Sequence, residues 1–346
     1  MAAESRLLVI IGITGNQGGS VARTFLTDPS LVAKYRLRGV TRNASSETAQ
    51  SFRARGVEMV EADLHDIPSL RKAFEGANII FSITDFWKPF MDPQNQARAA
   101  ERGMNLGALA YALEYEQGRN VADAAAKIPT LQRLVVSMTC SPKKMSGGRY
   151  QNIYHFDAKG DMIDYIKTVH PGLARKMSEL NMGAFFRAWR FAPIFAPNRR
   201  DDGTFVLALP CNPNTPIPFV DPANDTGPFV RALLSLQPGV QLYGESEMMT
   251  WNAWLQLWGK TLGKVVRYEQ ITPQAVEDIL SKQYPKGFGF ELGEMYEFMG
   301  EYGYSGGDPA CKRRGELNIE IPGLSSVQEY ILHEDWSLVG ICDHHD

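Results

Sequence analysis

At 346 residues, with 44% apolar and 22% charged residues and no compositionally biased run, the chain can bury a sizeable core and reads as globular throughout. A formal net charge of −3 gives no basic surface of the kind that phosphate-backbone binding requires, so no direct nucleic-acid partner is expected. Four scattered cysteines (Cys140, Cys211, Cys311, Cys342) match neither a disulfide framework nor a zinc cluster, and the closing CDHHD reads as a frayed polar end, so no metal is assigned.

The apolar run 7–11 is too short for a membrane span or a signal-peptide core. No membrane partner is expected, and the protein is expected in the cytoplasm, with the nucleus also open to it. The same run ends at a glycine turn and predicts a buried strand. A helix follows over 17–26, then strands over 35–41 and 57–60, a short helix over 66–74 closed by Gly76, and a fourth strand over 78–83. Residues 94–127 carry helical, alanine-rich spacing broken at Gly103, Gly107 and Gly118, and 134–137 is a fifth strand. This alternation predicts an α/β fold, a Rossmann-type doubly wound parallel sheet covered by helices on both faces.

After Ser141 the pattern changes. SPKKMSGGRYQN reads as a mobile loop, and an amphipathic helix follows over 156–169. Beyond Pro193 come many prolines, short strands and isolated helices over 250–262 and 273–282. The division expected is a dinucleotide-binding domain over 1–185 and a smaller, irregular C-terminal α+β lobe over 186–346, sharing a core with the first. The lobe would cover a substrate or meet a partner.

In IGITGNQGGSVA, Gly12, Gly15 and Gly18 stand between a predicted strand and a predicted helix. The first glycine permits the tight turn, the second lets backbone approach a pyrophosphate, and the third lets helix and strand pack closely. The helix N-terminus then supplies amide donors to the anion. At the end of the second strand, where an acid would hold the ribose hydroxyls of NAD, the chain has Arg42. A guanidinium there clamps a 2′-phosphate, which favours NADP(H) as the cofactor.

The segments GITGNQGGSVARTF, VTRN, EADLHD, SITDFW and YHFDAKGDMIDYI resemble the NmrA-like family of atypical short-chain dehydrogenases, including its NADPH-sensing and fungal oxidoreductase members. The resemblance implies that Gly12, Thr14, Gly15, Asn16, Gln17 and Gly18 form the cofactor loop. It implies further that Arg42 meets the 2′-phosphate, Asp63 and Leu64 the adenine edge, and Thr84 and Asp85 the ribose and nicotinamide. Lys159 would reach the nicotinamide ribose, and Phe191 would lie near the nicotinamide. Unlike the NADPH-sensing member, the chain has no further basic residue in NASSE, so the NADP preference rests on Arg42.

An ordinary short-chain dehydrogenase pairs a tyrosine with a lysine four residues on, but four before Lys159 stands His155, and Tyr154 lies one place further. One residue turns a helix by about 100°, so Tyr154 does not replace the missing phenol on the lysine's face. Lys159 and His155 are the candidate proton donors, with packing or cofactor support the equal reading of His155. Phe86, Trp87, Trp189 and Phe191 either wall an apolar substrate pocket or fill core. Trp251, Trp254 and Trp258 lie on one helix face and read as packing.

Two functions remain open on these grounds. One is an NADPH-dependent reductase of a small, largely apolar carbonyl, enone or imine compound in secondary metabolism. The other is a non-enzymatic NADP(H) sensor that regulates a protein partner such as a transcription factor; the oligomeric state is not legible.

Overall fold

Leu7, Val9 and Ile11 project to one side of a strand while Leu8 and Ile10 project to the other, so a continuous apolar run requires cover on both faces. The computed structural model, which describes residues 5–341, supplies that cover. Strand β1 (Arg6–Ile11) sits inside an eight-stranded sheet with β2 (Tyr35–Thr41), β3 (Glu58–Glu61), β4 (Ile79–Ser82), β5 (Arg133–Met138), β6 (Met177–Met182), β7 (Gln241–Gly244) and β8 (Cys311–Lys312). The order is β8-β7-β6-β5-β4-β1-β2-β3 and every pair is parallel. Because β1 pairs with both β2 and β4, the winding reverses there, and a crevice opens beyond the carboxyl ends of these strands.

Two apolar layers sandwich the sheet. Leu7, Val9 and Ile11 pack with Phe74 of α2 (Ile67–Phe74), Ala122 of α3 (Leu106–Ala125) and Ile163 of α4 (Tyr154–Val169). Leu8 and Ile10 pack with Phe25 of α1 (Asn16–Thr27) and Phe229 of α5 (Pro222–Ser235). Helices α1 and α5 touch closely: a Cβ on Gly227 would lie 2.1 Å from Thr24 Oγ1, and the Gly227 amide donates to Ser20 Oγ at 2.9 Å.

The second half thus contributes α5, β7 and β8 to the sheet layers. Its remainder forms two three-stranded sheets, one built on Pro216–Val220 and one on Phe205–Leu209. With α6 (Trp251–Leu262) and α7 (Phe288–Tyr302) they enclose a third core around Trp258, Phe288, Phe298 and Trp336.

One expectation holds and two need correcting. The stretch 94–127 is broken at Gly103 into two helices, because Gly103 takes φ +59° and Asn105 Oδ1 caps α3 by accepting from the Ala108 amide at 3.1 Å. Gly107 and Gly118, by contrast, do not break it. Their missing side chains let α4 approach, since a Cβ would lie 2.4 Å from the Tyr154 ring and 2.1 Å from Met162 Sδ. The segment read as a mobile loop is packed. It contains a one-turn helix, Pro142–Met145, buries Tyr150, and ties Ser141 Oγ and the Lys143 amide to Asp157 Oδ1 at 2.6 and 3.1 Å.

Strand β6 escaped the sequence reading because half of MSELNM is polar, with Ser178 and Glu179 adjacent, yet it is buried throughout. Glu179 is tolerated there because Lys167 Nζ reaches it at 2.8 Å. Among the described residues no helix is long and apolar enough to cross a membrane, and no three potential metal ligands come together. The CDHHD end lies outside the described residues.

Candidate functional site

The turn after β1 is shaped by three glycines with different duties. Gly12 takes φ +67°, a conformation that disfavours any side chain, and its carbonyl accepts the Gly15 amide at 2.9 Å. Gly18 lies so close to this turn that a Cβ would sit 2.3 Å from the Gly12 oxygen. Gly15 has ordinary extended geometry at the N-cap of α1, and no side chain caps the helix. Its first-turn amides, left without a capping side chain, are therefore free to donate to an anion.

A cavity of about 820 Å³ begins at this turn and runs beneath the second half of the chain. Thr14, Asn16 and Gln17 line its start, with Arg42 from the end of β2 and Asp63 and Leu64 from the end of β3. Arg42 is exposed and makes no ion pair with the described residues. The Asp63–Leu64 turn is pinned: Asp63 Oδ1 accepts from the His65 amide at 2.9 Å, and the Leu64 carbonyl accepts from Asn120 Nδ2 at 2.9 Å. Thr84 and Asp85, past the end of β4, continue the wall.

At mid-cavity stands Lys159. Its Nζ donates to Glu114 Oε1 at 2.5 Å and to the His155 carbonyl at 3.2 Å, and Thr84 Oγ1 donates to the same Glu114 oxygen at 2.7 Å. An ammonium has three donors, so one N–H of Lys159 remains for a ligand. Burial pushes the Glu114 carboxyl above its ordinary range, while the charge and hydrogen bond of Lys159 pull it back down.

His155 sits one turn earlier on α4, buried at the cavity wall, and is already engaged. Nδ1 meets Glu291 Oε1 at 2.8 Å, the His155 backbone amide donates to the same oxygen at 2.9 Å, and Nε2 lies 3.3 Å from Met295 Sδ. Burial, with Lys159 nearby, holds the imidazole well below its ordinary pKa, and burial raises Glu291 well above its own. Tyr154 faces the other way, its ring against Gly107, and does not line the cavity.

Aromatic side chains form the far wall. Trp87 lies between His155 and Phe191, ring centroids 4.9 and 5.6 Å away, over a fully buried Phe86. Trp189 reaches the cavity with its indole stacked on Trp336 at 4.7 Å and its N–H donated to Tyr330 Oη at 2.7 Å. Trp251 and Trp254 also line the cavity, whereas Trp258 packs against Phe205, so the tryptophan stripe is part pocket and part core. Helix α7 presents Leu292, Met295, Tyr296 and Met299 to the cavity, the spacing of a single helix face.

Sequence reasoning missed Glu114 and Glu291. Each is a carboxylate amid apolar helix neighbours, which is the signal available for both. Ser137 and Thr139, at the carboxyl end of β5, were likewise missed and line the cavity beside Lys159.

The sequence profile of the NmrA-like family matches residues 4–331. The chain is 25% identical to the NmrA-like family domain-containing oxidoreductase cpsB of Aspergillus campestris, with 97% of each chain covered. Among solved structures it is similar to NmrA, a negative transcriptional regulator, in complex with NADP, at TM-score 0.71 and 19% identity over 96% of this chain and 95% of that one. It is also similar to the triphenylmethane reductase of Citrobacter sp. complexed with NADP(H), at TM-score 0.63 and 17% identity over 94% and 98% of the two chains.

Proposed function

The chain belongs to the NmrA-like family, and we propose that it is an NADPH-dependent reductase of a small, largely apolar carbonyl, enone or imine compound, at work in secondary metabolism. One observation carries this reading: the glycine turn, Lys159 and an aromatic chamber lie along one continuous cavity.

The residues at the glycine turn fit NADP(H). The uncapped N-terminus of α1 and the close packing of Gly18 make an anion cradle, and Arg42 stands unpaired where a 2′-phosphate would need it. When bound, NADPH supplies a hydride. Thr84, Asp85 and Phe191 would border the ribose and nicotinamide, and Asp63 with Leu64 the adenine. Phe86, Trp87 and Trp189 keep water from the substrate side.

The remaining N–H of Lys159 points the proton chemistry to that residue. Its ammonium donates to the substrate oxygen or nitrogen as negative charge develops there, and Glu114 holds it in place. His155, locked between Glu291 and Met295, positions this end of α4 rather than moving a proton.

A regulator that senses NADP(H) would instead offer an apolar surface to a protein partner. Phe185 and Phe191, 37% and 41% exposed at the cavity, supply one. Absorbance at 340 nm, followed with a panel of carbonyl, enone and imine compounds, separates the two readings. Turnover supports the reductase. No turnover across the panel, with NADPH-dependent capture of a partner protein, overturns it.

A further inference from the structure

The charged residues that line the cavity, among them Arg42, Asp63, Asp85, Lys88 and Lys159, all come from the first half of the chain. From Gly183 onward every lining residue is uncharged. That distal part is walled by Phe219, Trp251, Trp254 and Tyr296, whose rings contact one another at centroid distances from 5.0 to 6.4 Å. Met295 and Met299 add adaptable thioether side chains to the same wall. Flat rings set edge and face around a gap favour a flat guest.

Two polar groups interrupt this apolar surface. The Tyr296 and Tyr304 side chains line the cavity, are 5% and 7% exposed, and their hydroxyls make no hydrogen bond to any described residue. Open to the cavity and without a protein acceptor, the two hydroxyls would be stranded by an apolar guest that covers them and satisfied by one that carries an acceptor. Burial pushes both phenols above their ordinary pKa, which keeps them protonated and able to donate. The Trp251 indole N–H, buried at the same cavity without a hydrogen-bond partner among the described residues, adds a group that can only donate.

We infer that the distal chamber binds a flat, uncharged, aromatic portion of the substrate that carries a hydrogen-bond acceptor remote from the reacting atom, with Tyr296 and Tyr304 as the donors that read it. This rests on the reductase reading for the word substrate, but the chamber's preference is a property of binding alone. The ligand is held at two ends, by Lys159 at the reacting atom and by the phenols at the far acceptor. A guest lacking the acceptor strands two buried hydroxyls, and a guest carrying a full charge at that end finds no counter-ion.

The test uses two flat bicycles of matched size and the NADPH-loaded protein. 2-Quinolone presents a carbonyl acceptor that hydride does not reduce, and naphthalene presents none. By titration calorimetry the wild type is expected to bind 2-quinolone about tenfold more tightly than naphthalene, the range of one or two satisfied buried hydrogen bonds. Tyr296→Phe and Tyr304→Phe should each remove about threefold of that preference and leave naphthalene binding unchanged. Equal binding of the two compounds, no binding of 2-quinolone, or a preference that survives both substitutions overturns the inference. If the preference is present and no compound in the reductase panel turns over, the chamber reading stands and the reductase reading falls. If compounds turn over and the preference is absent, the reverse holds.

Discussion

Glu114 and Lys159, 45 residues apart in the chain, meet carboxylate to ammonium at 2.5 Å on the floor of the cavity. The contact depends on two glycines. Gly107 and Gly118 flank Glu114 on α3 and leave room for Tyr154 and Met162 of α4, which brings the two helices close enough for the pair to form. Glu114 is 1% exposed and its second oxygen has no partner, so the lysine is its one counter-charge among the described residues and each group fixes the other.

Lys159→Met should lower turnover by about a hundredfold or more in the NADPH oxidation assay, because it removes the proton donor together with the charge that steadies the developing anion. Glu114→Gln keeps the shape and the Thr84 hydrogen bond but loses the charge. It should lower kcat by about tenfold while KM for NADPH moves little, since a charge-assisted bond is exchanged for a neutral one. Unchanged kcat in both variants would remove Lys159 from the chemistry.

The two central glycines of the turn should fail in different ways. At Gly15 a Cβ meets nothing closer than 3.4 Å and φ is ordinary, so Gly15→Val should fold normally and lose NADPH binding, because the new side chain fills the anion's place. At Gly18 a Cβ would lie 2.3 Å from the Gly12 carbonyl, so Gly18→Val should lower Tm without any ligand. Thermal shift with and without NADPH checks both. A Gly15→Val protein still stabilised by NADPH would place the anion elsewhere.

Arg42→Ala should weaken NADPH binding by about 1.5–3 kcal/mol and leave NADH binding nearly as it was, the loss of charge-assisted bonds to one phosphate. Calorimetry on the two cofactors measures it. Equal affinities for NADPH and NADH in the wild type would contradict the assignment.

The sheet was legible because its central strands are apolar runs. The second strand, Tyr35–Thr41, lies where the pattern puts it, β1 begins one residue before its predicted span, and β5 exceeds its predicted span by one residue at each end. Strand β6 was not legible, since burial of Ser178, Glu179 and Asn181 depends on partners far away in the chain. The same reason hid Glu114 and Glu291. A buried carboxylate reads in sequence as a solvated one until its partner is placed beside it. The glycine turn was legible from its local spacing and Lys159 from the family resemblance of YHFDAKGDMIDYI, and both line the one cavity. The distal chamber was not, as it draws on Phe219, Trp251 and Tyr296 from three separate elements.

The His155–Glu291 pair sets the dependence of stability on pH, and the sign can be worked out. In the folded protein burial keeps His155 neutral to well below its ordinary 6.5 and Glu291 protonated to well above its ordinary 4.5, so the folded pair resists both gaining a second proton and losing its one proton. Unfolded, the two side chains together hold two protons below pH 4.5, one between 4.5 and 6.5, and none above 6.5. The pair therefore contributes a flat region between these limits. Stability falls towards alkaline pH for as long as the folded state keeps the Glu291 proton that the unfolded chain has lost, and falls towards acid pH where the unfolded chain takes a proton that buried His155 does not. Each edge has a slope of about 1.4 kcal/mol per pH unit. Removing one partner should move one edge. In His155→Gln the folded state still protects the Glu291 proton while the unfolded chain loses it from pH 4.5 upward, so the alkaline decline should begin near 4.5 instead of 6.5. In Glu291→Gln the unfolded chain protonates its histidine below 6.5 and the folded one does not, so the acid decline should begin near 6.5 instead of 4.5. Urea unfolding between pH 4 and 8, compared variant by variant with the wild type, reads both edges. If neither edge moves, His155 titrates freely at the cavity wall, and its candidacy as the proton donor returns.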